Sequence, residues 1–75
     1  MSLKEIRIKA GMSQSKLSAA SSVNVRMIQH YEQGTKDIDG AKLHTLIDLS
    51  IALNCKISDL LNDADLKAKC KKTKL

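Results

Sequence analysis

Apolar residues recur along this 75-residue chain at helical spacing, and no stretch alternates in the period of a strand. Leu3, Ile6 and Ala10 form the first set, ahead of Gly11. Ser2 and Glu5 have the spacing of a capping box, in which the serine hydroxyl and the glutamate three residues on each accept a backbone N–H of the other. A first helix is predicted over about residues 3–10, stopped by Gly11 in a left-handed conformation. Ser13 is the next N-cap, and Leu17 and Ala20 give Gln14 to Ala20 an inward face as a second helix. Ser21, Ser22 and Val23 form a break. Asn24, a strong N-cap residue, then opens a third helix from Val25 to Gln33, and Gly34 ends it. Thr35 to Ile38 make a polar loop. Asp39 is placed to cap a fourth helix over roughly 40–53, with Leu43, Leu46, Ile47, Leu49 and Leu53 as its apolar stripe. Asn54 suits a left-handed C-cap, and Ile57 to Leu61 predict a short fifth helix. The expected fold class is all-α, compact and five-helical.

Composition narrows the core. Tyr31 is the only aromatic residue, so the interior must be aliphatic. A chain this short buries only about 60–65% of its unfolded surface, which makes one small domain. Two cysteines, Cys55 and Cys70, are too few for a disulfide scaffold or a four-ligand zinc site. Both are expected as reduced thiols, Cys55 in the core and Cys70 free. No apolar run approaches the ~20 residues of a membrane span, and the N-terminus lacks a signal-peptide pattern. The chain is expected to be soluble and cytoplasmic, with no membrane partner.

The net charge of +5 changes the picture only once it is placed. Residues 1–36 carry six cations against two acids, and residues 37–66 carry two against six. Residues 67–75 hold five lysines and no acid. The folded part is therefore polarised, and one basic face is what a phosphate backbone requires. The tail, KAKCKKTKL, has the composition of a disordered extension. Its lysines either meet DNA non-specifically or only aid solubility. The expected organisation is a domain over 1–66 and a lysine-rich tail over 67–75.

The third helix carries the candidate chemistry. At 100° per residue from Val25, the side chains of Gln29, Gln33, Arg26 and His30 fall between roughly 40° and 140°. Ile28 and Tyr31 fall near 300° and 240°, on the face that holds the helix to the body. Guanidinium, imidazole and carboxamide groups read base edges in the major groove: arginine pairs with guanine, glutamine with adenine, and an apolar residue such as Val25 meets the thymine methyl. A polar face that is only solvated is the plainer reading, and spacing decides between them. Counting Gln14 as first, Leu17 is fourth, Ser18 fifth, Ser22 ninth, Val23 tenth, Ile28 fifteenth and Tyr31 eighteenth. With MSQSKLS, VNVRMIQHYEQG and LSIALNCKISDLL in that order, the chain resembles the Cro/C1 repressor (XRE-type) helix-turn-helix family over about residues 3–61. It departs from the family at three serines: alanine is commonest where Ser18 stands, glycine where Ser22 stands, and an apolar residue where Ser21 stands. The stretch from Thr35 to Asp48 is also about one helical turn longer than in compact repressors.

The resemblance implies a repressor-like domain with its helix-turn-helix at the second and third helices. It implies base reading by Val25, Arg26, Gln29 and His30. It also implies backbone contacts from Gln14, Asn24, Gln33, Thr35 and Lys36, with Arg7 as a further backbone neighbour. The implied partner is double-stranded DNA, bound by a homodimer on an inverted repeat. No catalytic constellation, cofactor motif or metal-ligand spacing stands in the chain, so no enzyme, cofactor or metal is expected. His30 and His44 have no second ligand at metal spacing. The expected function is a transcriptional regulator, of the repressor kind. The alternative is a protein-interaction module, or an antitoxin-type partner-binding protein that keeps the fold. Ile51 motivates it, as an apolar residue surplus to the packing face of the fourth helix.

Overall fold

The computed structural model describes residues 2–74. Met1 and Leu75, at the outer ends of the two expected ranges, lie outside the described residues. Six helices follow in order: α1 (Leu3–Lys9), α2 (Gln14–Ser21), α3 (Val25–Gln33), α4 (Leu43–Leu53), α5 (Ile57–Leu60) and α6 (Ala64–Thr73). A 3-10 turn, Ile38–Gly40, sits between α3 and α4. The described residues contain no strand.

The caps account for most boundaries. Ser2 and Glu5 make the capping box of α1, and that bonding lowers the Glu5 pKa. Ser13 accepts the Lys16 amide at 3.0 Å, and Asn24 accepts the Arg26 amide at 2.8 Å. Gly34 closes α3 at φ +80°, which a residue without a Cβ reaches at no steric cost. Asn54 ends α4 in the left-handed conformation.

Eleven buried aliphatic residues form the core: Leu3, Leu17, Val23, Ile28, Ile38, Leu46, Leu49, Leu53, Ile57, Leu60 and Leu61. The element α2 lies at the centre and packs on both α3 and α4, while α1 supports α3 and α5 supports α4. Met12, Met27 and Tyr31 pack partly buried against this cluster.

Three expectations are corrected. Asp39 does not cap α4. Asp37 caps the 3-10 turn, and the carboxylate of Asp39 accepts the amides of Asn62 (2.7 Å) and Asp63 (3.0 Å). It thereby ties that turn to the start of α6, and α4 begins only at Leu43. Secondly, Leu43 and Ile47 do not join Leu46, Leu49 and Leu53 in the core but stand exposed. Thirdly, residues 67–73, read from composition as disordered, belong to α6. Asp63 caps that helix through the amides of Asp65 and Leu66, and Asp65 pairs with Lys69 one turn on. Leu66 and Cys70, four residues apart, pack against the core from it. Both cysteines are free thiols; burial, with the Asp59 charge nearby, pushes the Cys55 pKa up.

Candidate nucleic-acid interface

The corner between α2 and α3 is built by the three serines. Ser18 donates its hydroxyl to the Val23 carbonyl at 2.6 Å. Ser21, buried, donates to the Leu17 carbonyl at 2.7 Å and accepts the Val23 amide at 3.2 Å. Ser22 takes φ +60° and donates its amide to the Ser18 carbonyl at 2.9 Å. Hydroxyls thus satisfy backbone groups that a buried turn would leave unpaired, at a position where the family uses an apolar side chain. Val23 and Ile28 are buried behind the corner and fix the angle at which α3 leaves it.

A second network holds α3 against α1 and α2. Arg7 Nε donates to Glu32 Oε2 at 2.7 Å, and Arg7 Nη2 donates to Glu32 Oε1 at 3.0 Å. Arg7 Nη1 donates to the Met12 carbonyl at 2.8 Å. The two side chains keep only 11% and 4% of their surface exposed. The hydrogen bonds from Glu32 hold the Arg7 pKa above its ordinary value, against the opposing effect of burial. Gln14 Nε2 donates to the same Glu32 oxygen at 3.2 Å, and Gln29 Nε2 donates to Gln14 Oε1 at 3.5 Å. One buried carboxylate on α3 therefore anchors α1 and the first residue of α2, and through Gln14 it reaches Gln29.

Each expected site residue has a definite place. Arg26, His30 and Gln33 are exposed on α3, and Val25 and Gln29 are half-buried there. Asn24 is exposed, with its side-chain oxygen engaged as the cap of α3. Thr35 and Lys36 are exposed just beyond Gly34. The Thr35 hydroxyl lies 2.8 Å from His30 Nδ1, so the loop steadies the imidazole. Lys36 Nζ lies 3.6 Å from Met27 Sδ. Gln14 is half-buried and turned towards α3. Arg7 is mostly buried, and its guanidinium is engaged by Glu32 and the Met12 carbonyl in the α1–α3 contact.

Glu32 is the residue that sequence reasoning missed. Its angle on α3 is about 340° on the same wheel, between Val25 and Ile28 and so on the inward face. An acid on an apolar face was the available signal, because a buried carboxylate needs a cationic partner.

A supported helix beside a tight turn, with an outward polar face, defines the helix-turn-helix class of protein. The family model described as helix-turn-helix matches residues 3–60, and the chain belongs to this Cro/C1-type (XRE) family of DNA-binding transcriptional regulators. No curated protein and no solved structure matches the chain. No helix among the described residues is long and apolar enough to cross a membrane.

Proposed function

We propose that this chain is a sequence-specific repressor whose α3 enters the major groove of an inverted-repeat operator, one copy on each half-site. The observation that carries the reading is the outward face of α3. Arg26, His30 and Gln33 are free to reach base edges or the phosphates beside them, while the backbone beneath is held by the serine corner and the Glu32 network. Gln29 donates only one of its two amide hydrogens to Gln14. Its carbonyl oxygen and second N–H remain for a bidentate pair with adenine. Gln14, Asn24, Thr35 and Lys36 would fix the register through phosphates, and base contacts would fix the sequence.

Repression follows from occupancy of such a site without a further domain. The test is selection of bound sequences from a randomised duplex pool at near-physiological salt. Enrichment of an inverted repeat supports the reading and yields the operator. Weak, salt-sensitive binding with no enriched sequence would overturn it. In the same assay Arg26→Ala should cost roughly 1–3 kcal/mol on the selected site and relax base choice at one position. An equal loss on all sequences would make Arg26 a phosphate anchor.

A further inference from the structure

One buried side-chain group among the described residues has no hydrogen-bond partner, the hydroxyl of Ser58. Ser58 is 1% exposed and lies in the single turn of α5. A buried donor that bonds nothing is costly, and in a native fold it asks for a reason. The usual remedy is not taken. Ser21, Ser50 and Thr73 each donate to a carbonyl three or four residues back, as a helical hydroxyl can. Ser58 does not.

Its surroundings supply the reason. Ser58 lines an open pocket of about 470 Å³ with Lys56, Lys71 and Lys74. Lys56 comes from the N-cap of α5, Lys71 and Lys74 come from the end of α6, and the two helices pack on each other. None of the three ammonium groups is in an ion pair among the described residues. Asp59, the acid on α5, accepts the Lys56 amide and lines a different pocket with Lys9 and Cys55. A cation in the last turn of a helix suits the helix dipole, which accounts for Lys71. It does not account for Lys56, which precedes a helix, or for a hydroxyl with nothing to bond. Three cations around one unpaired donor are what an anion with several oxygens would satisfy.

We propose that this pocket between α5 and α6 binds a small soluble diphosphate. The Ser58 hydroxyl donates to a phosphate oxygen, and the ammonium groups of Lys56, Lys71 and Lys74 balance the charge. Lysine meets phosphate as a point charge on a flexible stem, so three of them suit an anion whose charge is spread along its length. A single carboxylate would leave most of the positive charge unmatched. The volume lies within the range of small-molecule sites and leaves room for an organic group beside the phosphates. A bound diphosphate bridges α5 and α6 and so holds the last helix to the body. A duplex is the less favoured source of phosphate, because α5 packs on α4 and α6, whereas α3 packs on α1 and α2.

The experiment titrates the full chain, without DNA or magnesium, with inorganic pyrophosphate and with adenosine diphosphate. Calorimetry and melting temperature are read against sodium chloride of equal ionic strength. The expected result is saturable binding of one ligand per chain and a rise in melting temperature that chloride does not reproduce. Lys71→Gln with Lys74→Gln should weaken pyrophosphate binding about tenfold or more. Lys67→Gln with Lys72→Gln removes the same charge outside the pocket and should change it by less than about threefold. Ser58→Ala should weaken binding about tenfold, yet leave the melting temperature of the unliganded chain unchanged or raised, since it deletes an unpaired hydroxyl. Absence of saturable binding overturns the proposal. So does an equal loss from both lysine pairs, which would reduce the pocket to diffuse charge, and so does full affinity in Ser58→Ala. Duplex affinity that falls in the Lys71 and Lys74 variant as far as pyrophosphate affinity does would assign the pocket to a DNA phosphate and overturn it as well.

Discussion

Arg7 shows how a residue type can point one way and its partners another. A cation on the first helix of a DNA-binding domain suggests a phosphate, but every nitrogen of this guanidinium donates within the chain. Removing it leaves the buried Glu32 carboxylate without a countercharge, held only by the Gln14 amide. Arg7→Ala should therefore cost about 3–5 kcal/mol of stability, read as a large fall in melting temperature. A surface phosphate contact would leave the melt where it is. The pair Arg7→Met with Glu32→Leu should recover most of that stability, since an apolar pair of similar volume replaces a desolvated ion pair at little net cost. It should also weaken operator preference, because Gln14 loses its acceptor and Gln29 its brace. Ser22 gives a second residue-scale prediction. At φ +60° a side chain is strained, and Ser22→Gly relieves this at some cost in backbone entropy. A net gain of roughly 0.5–1 kcal/mol is expected, a few degrees in melting temperature for a domain of this size.

At the scale of elements, caps and periodicity made α1, α2 and α3 legible to within a residue at each end. Ser2, Ser13, Asn24 and Gly34 each do locally what their residue types predict. The start of α4 was illegible because its N-cap, Lys42, makes no side-chain cap bond, while the cap-type residues upstream serve elsewhere: Asp37 caps the 3-10 turn and Asp39 holds the distant amides of Asn62 and Asp63. The exposure of Leu43, Ile47 and Ile51 was hidden for a related reason: α4 is apolar on both sides, and only the tertiary packing says which side meets the core. The candidate site was legible where side chains face outward and illegible where two of them meet, as Arg7 and Glu32 do across 25 positions. The α6 helix was masked by its lysines, because only Leu66 and Cys70 supply an inward face. A short, lysine-rich helix has little stability of its own, so docking should be what holds it. Leu66→Asp should remove up to ten residues' worth of helical circular dichroism while the remaining helices still melt cooperatively. Undiminished helicity would show that α6 stands without its contact.

For the whole molecule, the question is which charges a duplex would feel. The end of α6 tied to the 3-10 turn carries Asp63 and Asp65, and Asp37 and Asp39 lie in or beside that turn. These acids bound the basic side of the loop at Lys36. The lysine-rich end of α6 lies elsewhere: Lys71 and Lys74 line a shallow pocket with Lys56, which precedes α5. In the chain of packing, α6 rests on α5, α5 on α4, α4 on α2, and α2 in turn on α3. Charges separated from a phosphate by more than the ~8–10 Å screening length contribute little at physiological salt. The five lysines of residues 67–74 should therefore be nearly silent in binding, despite supplying as much charge as the whole chain carries net. Replacing all five with glutamine should change the slope of log affinity against log salt by less than one phosphate contact, about 0.9. Lys36→Gln alone should flatten it by about that amount. Fluorescence anisotropy on one duplex across a salt series measures both. A slope that falls by several contacts in the five-lysine variant would place α6 along the DNA and require a footprint that wraps past the acidic turn.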